Sequence, residues 1–241
     1  MRVLAIECAT TTVGVALVEE GEVRAALFLS LGRHHAEVLL PAIDQLFLMT
    51  GFVPADVDLL ACTVGPGSFT GLRIGVSTVK GLALATGKPV VGVSTLETLA
   101  MNAIPSSQLI CPMLDARKGQ IYTGIYRTGP DVRLQAAGPE RLADAGRFLR
   151  ELEHQEVIFL GEGAIRNEQL IREAGEGWTI LGGSSRQRLM ASAVGLIGRE
   201  QYRCGDVVDT LTFAPRYLRL SEAETNCGPR APRCSGERDR C

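Results

Sequence analysis

Apolar residues come first in short runs, then at helical spacing, then in runs again. Residues 2–8 are almost continuously apolar up to Glu7, as in a central strand buried on both faces. Residues 11–18 are rich in β-branched side chains, and Gly21 marks a hairpin turn into a third strand at 23–29. Strands so close in sequence are largely antiparallel, because parallel pairs need long crossovers. From 34 to 49 the period changes. Ala36, Leu39, Ile43, Leu46 and Phe47 fall on one face of a helix, and Val38, Ala42 and Leu48 widen the apolar surface beyond one stripe. Such a helix is expected to touch its own core on one side and something else on the other. Pro41 predicts a kink or an irregular first turn. A strand at 59–64 leads into the breakers Gly65-Pro66-Gly67-Ser68. A small-residue helix at 69–86 follows, closed by Gly87 and Pro89. Residues 90–93 form a short strand, and Ser94 or Thr95 caps the next helix, with Glu97 in its first turn.

The pattern then restarts. Residues 109–114 are an apolar run. In 119–126, Ile121, Thr123 and Ile125 alternate against Tyr122 and Tyr126. Helix is predicted at 139–152, strand at 157–160, helix at 164–173 and strand at 178–181. A final long helix at 187–202 carries Leu189, Ala193, Leu196 and Ile197. The element order predicts an α/β protein of two ribonuclease-H-like lobes with mixed sheets, 1–102 and 103–220, with the break near 101–107. Residues 221–241 mix charges with Gly and Pro and hold no large apolar side chain, so they are expected to be a disordered tail.

Composition narrows the function. The 241 residues are 46% hydrophobic and 22% charged, as in an ordinary globular protein. Net charge is −2, against the basic excess of a chain that grips a phosphate backbone alone. No apolar run is long enough to span a membrane, and Glu7 interrupts any signal-peptide core, so a cytoplasmic protein is expected. The seven cysteines include no Cys-x-x-Cys pair; Cys8, Cys62 and Cys111 lie in apolar runs and read as buried thiols.

Four features could carry chemistry. The glycine-rich run 65–76 opens a helix, where free N–H groups and the helix dipole favour an anion, but it lacks the Gly-Lys-Ser/Thr ending of a nucleotide P-loop. Gly71 and Gly75 lie one turn apart and allow close approach of another backbone. Periodicity alone leaves open whether that is this chain's sheet or a partner, and a partner is the expectation taken here. Glu7, followed by Thr10 and Thr11, joins two strands as a phosphate-holding hairpin would, and Asp115 begins a second hairpin at 115–119. A lone carboxylate at a strand end is usually structural. His34 and His35 are adjacent, so on a helix they diverge by about 100° and form no metal pair. With His154 the only other histidine and no Gly-x-Ser-x-Gly elbow, hydrolase triads find no support.

Several stretches together resemble the TsaB (YeaZ) family: 4–10, 33–41, Gly65-Pro66-Gly67-Ser68-Phe69-Thr70-Gly71-Leu72-Arg73-Ile74-Gly75, 80–83, 91–97, 114–122 and 215–219. The glycine-rich run is the most specific, and the resemblance covers about 1–220. It implies a two-lobed, actin-like (ASKHA) fold and a cytoplasmic, non-catalytic part in making threonylcarbamoyladenosine in tRNA. It implies a heterodimer with the TsaD transferase, recruitment of the TsaE ATPase, and a homodimer when alone, with tRNA met only through the complex. The partner-binding residues would be His35, Leu39, Ile43, Phe69, Gly71, Leu72, Arg73, Gly75, Thr78 and Leu82. A nucleotide, ATP or ADP with magnesium, is admitted at the partner complex, near Glu7, Thr10, Thr11, Asp115, Gly161 and Gly163. No residue is assigned as catalytic or metal-binding. The His-x-x-x-His pair of TsaD is absent, which argues against both that role and a metal-dependent peptidase. Glu7 stands where the family usually has Asp, and its extra methylene shifts any metal-directed oxygen. An actin-like phosphotransferase is the alternative reading.

Overall fold

The computed structural model describes residues 1–30, 32 and 34–219. The expected tail, 221–241, lies outside the described residues. In the first sheet, β1 (Arg2–Glu7) lies between β2 (Val13–Glu19), antiparallel to it, and β4 (Leu59–Gly65), parallel to it. The full order is β3-β2-β1-β4-β5, with β3 at Glu22–Leu29 and β5 at Val90–Ser94. Both faces of β1 are covered, which explains its unbroken apolar run. Leu4, Ile6 and Cys8 enter a core beneath α1 (His35–Thr50) and α2 (Phe69–Thr86), whereas Val3 and Ala5 enter a second core on the opposite face. α1 runs through Pro41 without a break, and it ends at Gly51, whose left-handed backbone (φ 71°) returns its N–H to Phe47 O. α2 starts at Ser68, whose hydroxyl accepts from Gly71 N at 3.3 Å. A short helix, α3 (Thr95–Ala100), capped by Ser94, leads to the second half.

The second sheet repeats the plan. Its order is β10-β7-β6-β11-β12, with β6 (Leu109–Asp115) central, β7 (Gln120–Thr123) antiparallel to it and β11 (Val157–Leu160) parallel to it. β8 (Tyr126–Thr128) pairs with β6 and with β9 (Leu134–Ala136), while β10 (Arg141–Asp144) and β12 (Thr179–Ile180) are the edges of the main path. The expected α/β duplication with mixed sheets is therefore visible in the strand order itself.

Local elements of this half differ from the sequence expectation. The predicted strand at 119–126 is two strands, parted at Gly124. The predicted helix at 139–152 starts as β10, and only α4 (Ala145–Arg150) is helical, because Asp144 caps it by accepting from Arg147 N at 2.9 Å. The helix at 164–173 is two short ones, α5 (Glu162–Arg166) and α6 (Glu168–Ala174), parted at Asn167.

The last helix, α7 (Ala191–Arg203), begins four residues later than expected and crosses back to the first sheet. Its Ala191, Val194 and Ile197 complete the core around Val3, Ala5, Ala61 and Val93. Gly198 leaves no room for a side chain, since a Cβ there would lie 2.7 Å from the Ala61 methyl. The chain then follows β5 through the Val208–Val90 bridge and buries Phe213 in the core under α2. Residues 191–213, placed with the second lobe by the break near 102, are thus packed on the first.

Candidate functional site

A cleft of about 480 Å³ lies between the lobes. The turn after β1 brings Thr10 and Thr11, the start of α2 brings Ser68, Phe69 and Thr70, and the β6–β7 turn brings Asp115 and Arg117. Glu162 and Arg166 of α5 close it, with Arg219. Close backbone contact fixes the first wall. Ser68 N donates to Ala9 O at 2.6 Å. A Cβ on Gly67 would collide with Ala9 O, and one on Gly71 with Cys8 O. The glycine-rich run is required here because α2 starts directly against the turn after β1. His35 supports the same turn from behind: its Nε2 lies 2.8 Å from Thr10 O.

Electrostatics in the cleft are mostly satisfied from within. Asp115 pairs with Arg166 at 3.2 Å and accepts from Arg117 N at 2.9 Å. Arg219 donates to Ala116 O at 2.8 Å and to Gln120 Oε1. Burial pushes the Glu162 carboxyl above its ordinary range, with Arg166 opposing and Asp115 adding to the shift.

Glu7 does not reach this space. It is fully buried, its carboxylate accepts from Ala9 N at 2.5 Å and from Thr12 Oγ1 at 3.4 Å, and burial pushes its pKa up to about 8. Gly161 and Gly163 also stand outside the lining. They let α5 approach β6, where a Cβ would lie 2.5 Å and 2.8 Å, respectively, from Met113 O. Of the expected nucleotide set, Thr10, Thr11 and Asp115 line the cleft, and Glu7, Gly161 and Gly163 are structural. Arg117, Glu162, Arg166 and Arg219 were missed; Arg117 was read as part of an exposed turn, and Glu162, Arg166 and Arg219 reach the cleft only through packing of distant segments. A magnesium nucleotide does not fit these residues: the first lobe's carboxylate is held by its own turn and the second lobe's is paired to an arginine.

The expected partner set is corrected by burial. Leu39, Ile43, Gly71, Leu72 and Gly75 lie inside this chain's own core, and His35 is buried behind Thr10. The small face of α2 meets β1 and β4: a Cβ on Gly75 would lie 3.3 Å from both Cys62 Sγ and Cys8 Cβ. Thr78 and Leu82 are half-buried, while Phe69 and Arg73 are exposed. The solvent side of the two helices carries Leu40, Leu48 and Met49 on α1 and Leu84 on α2, with Leu48 77% exposed. The breadth of the apolar surface on α1 was the sequence signal for such a face.

The family model for TsaD, tRNA N6-adenosine threonylcarbamoyltransferase, matches residues 30–177. The tRNA threonylcarbamoyladenosine biosynthesis protein TsaB of Bacillus subtilis is 34% identical over 226 residues, covering 93% of this chain and 96% of that protein. TsaB of Haemophilus influenzae is 28% identical, covering 91% and 94%. By contrast, the tRNA N6-adenosine threonylcarbamoyltransferase of Solidesulfovibrio magneticus matches at 35% over only 29% of its length. Among solved structures, YeaZ from Pseudomonas aeruginosa superposes with a TM-score of 0.77 at 28% identity, covering 90% of this chain and 99% of that one. Agreement along the full length with TsaB, against a partial match to the transferase, decides between the two: the chain belongs to the TsaB family.

Proposed function

We propose that this protein is a non-catalytic subunit in the biosynthesis of threonylcarbamoyladenosine in tRNA, working in the cytoplasm as the partner of a TsaD-like transferase. The TsaB relatives are named for that biosynthesis. One observation carries the non-catalytic part: the Glu7 carboxylate is sealed beneath the turn it would need to reach past. No helix among the described residues is long and apolar enough to cross a membrane, in keeping with the setting proposed. The exposed side of α1 and α2 is the proposed partner surface, used by the TsaD-like transferase and, without it, by a second copy; a TsaE-like ATPase joins that pair, and tRNA is met through the assembly. Leu40, Leu48 and Leu84 supply an apolar centre, and Glu37, Asp44, Arg73 and Lys80 a charged rim.

The test has two arms. Calorimetric titration of the isolated protein with magnesium and ATP is expected to show neither binding nor turnover; turnover abolished by Glu7→Gln would sink the non-catalytic reading. Leu48→Asp is expected to leave the protein folded and to weaken its co-elution with the TsaD-like transferase, lowering threonylcarbamoyladenosine in cellular tRNA. Unchanged co-elution would move the interface elsewhere.

A further inference from the structure

The outer layer of the first lobe has a third piece. α1 lies over β2 and β3, α2 over β4, and the segment after α7 follows β5, with Phe213 in the same core. This strap ends against β4, where Arg216 N donates to Val64 O at 2.7 Å. Its side chains interlock with α2. Arg73 Nε donates to the Tyr217 hydroxyl at 3.0 Å, and its guanidinium lies 3.8 Å from the centre of the Phe69 ring. That ring stacks on Tyr217 at 4.9 Å. Lys80 Nζ donates to Leu211 O at 2.9 Å. The Leu211 side chain is nevertheless 75% exposed, and Leu84, one turn beyond Lys80, is 66% exposed.

Charge sets this strip apart. Residues 66–88 contain Arg73, Lys80 and Lys88 and no Asp or Glu. The strap, residues 209–217, contains Arg216, which pairs with Glu140, and a single acid, Asp209, whose carboxylate is taken by Leu211 N and Thr212 N. The whole chain, however, carries a net charge of −2. An exposed apolar strip edged chiefly by the cations Arg73 and Lys80, on an acidic protein, complements an apolar surface edged by carboxylates. Nucleic acid fits less well, since the Phe69 ring is already engaged by Tyr217 and Arg73 instead of standing open to a base.

We propose that the strap, residues 209–217, together with the exposed side of α2, docks a protein partner that presents an apolar face edged by carboxylates. This rests on the reading that the outer layer of the first lobe meets a protein, and it gives the strap a share that neither helix accounts for. Glu140 of the second lobe is the positioning residue. Its carboxylate accepts from the Tyr126 hydroxyl at 2.7 Å and from Ser94, and faces Arg216 at 3.2 Å, next to Tyr217. Both lobes thereby hold the strap in place.

The test compares Leu211→Asp, Leu211→Lys, Leu48→Asp and Glu140→Gln in the full chain, each titrated calorimetrically with the TsaD-like transferase of the same organism and melted alone. Leu211 is exposed, so its two variants should melt like the parent. Leu211→Asp should weaken binding by about tenfold or more and Leu211→Lys by about threefold, because only the former opposes an acidic face. Glu140→Gln should weaken binding with rescue of neither Leu211 variant. If Leu48→Asp weakens binding and Leu211→Asp does not, the strap is no part of the surface, while the reading of the outer layer stands. If neither weakens binding, both are overturned. Equal losses for Asp and Lys would overturn the acidic partner, and parental binding by Glu140→Gln would overturn its positioning role. Binding of tRNA by the isolated protein, lost in Leu211→Asp, would make the strip a nucleic-acid surface and overturn the proposal.

Discussion

The two sheets share one strand order but are covered differently. The first is packed by α1, α2 and α7, of 16, 18 and 13 residues; α4, α5 and α6, packed on the second, have 6, 5 and 7. Core composition explains the contrast only for α7, because the core under α1 and α2 is as rich in Leu, Ile and Phe as that of the second lobe. Around α7 the contacts are largely Ala, Val and Gly, which bring backbones close but bury little area each, so length must supply the contact. The second lobe concentrates area in Phe148, Phe159, Leu149, Leu152 and Met113, and short helices suffice. The lesson is that one duplicated topology supports two ways of packing, and among the described residues the long-helix lobe carries the outer surface proposed above for a partner.

That contrast can be broken most severely at the close approaches. Gly71→Val should abolish cooperative folding of the first lobe, because the new side chain would need the space of Cys8 O. Gly75→Arg should do the same by placing a guanidinium between Cys8 and Cys62. Circular-dichroism melting checks both, and a stable Gly75→Arg would return that face to a partner. Next in size, Phe159→Ala should cost about 3–5 kcal/mol, whereas Val194→Ala, in the small-residue core, should cost about 1.5 kcal/mol. Equal values from denaturant titration would erase the distinction between the cores.

A pH series sharpens the comparison further. Native Glu7 holds its proton up to about pH 8, while the unfolded chain releases it near the ordinary value of 4.5. Between those values the native state binds more protons, so stability should fall as pH rises, by at most about 1.4 kcal/mol per pH unit, and level off above 8. Glu7→Gln should flatten that slope; an unchanged slope would mean that Glu7 is ionised in place. Smallest of all, Ser68→Ala should cost about 1 kcal/mol through loss of the α2 cap, measurable by thermal melting.

Much of the first lobe was legible before folding. Periodicity placed α2 at the residues observed and α1 within one residue, since long segments repeat their signal over several turns. The second lobe was harder. β10 and β9 are 4 and 3 residues long, too short for a period, and Asp144 decides by one capping contact where a predicted helix gives way to strand. For the site, Thr10, Thr11 and Asp115 were readable because they lie at turns between apolar runs. Arg166 and Arg219 were not, because each arrives from a distant segment.

By itself, then, the sequence determined the order of elements in the first lobe, the family and the place of a glycine-rich run at the start of α2. All of these are written in local spacing and residue type. Tertiary structure alone decided which way the glycines face. Gly71 and Gly75 look the same for a sheet of this chain or for another protein, and only the position of Cys8 and Cys62 beneath them settles the matter. It also decided that Glu7 is sealed and that the strap lies beside α2. A chain's exposed and buried faces are fixed by what packs from far along the sequence, and local periodicity carries no record of that distance.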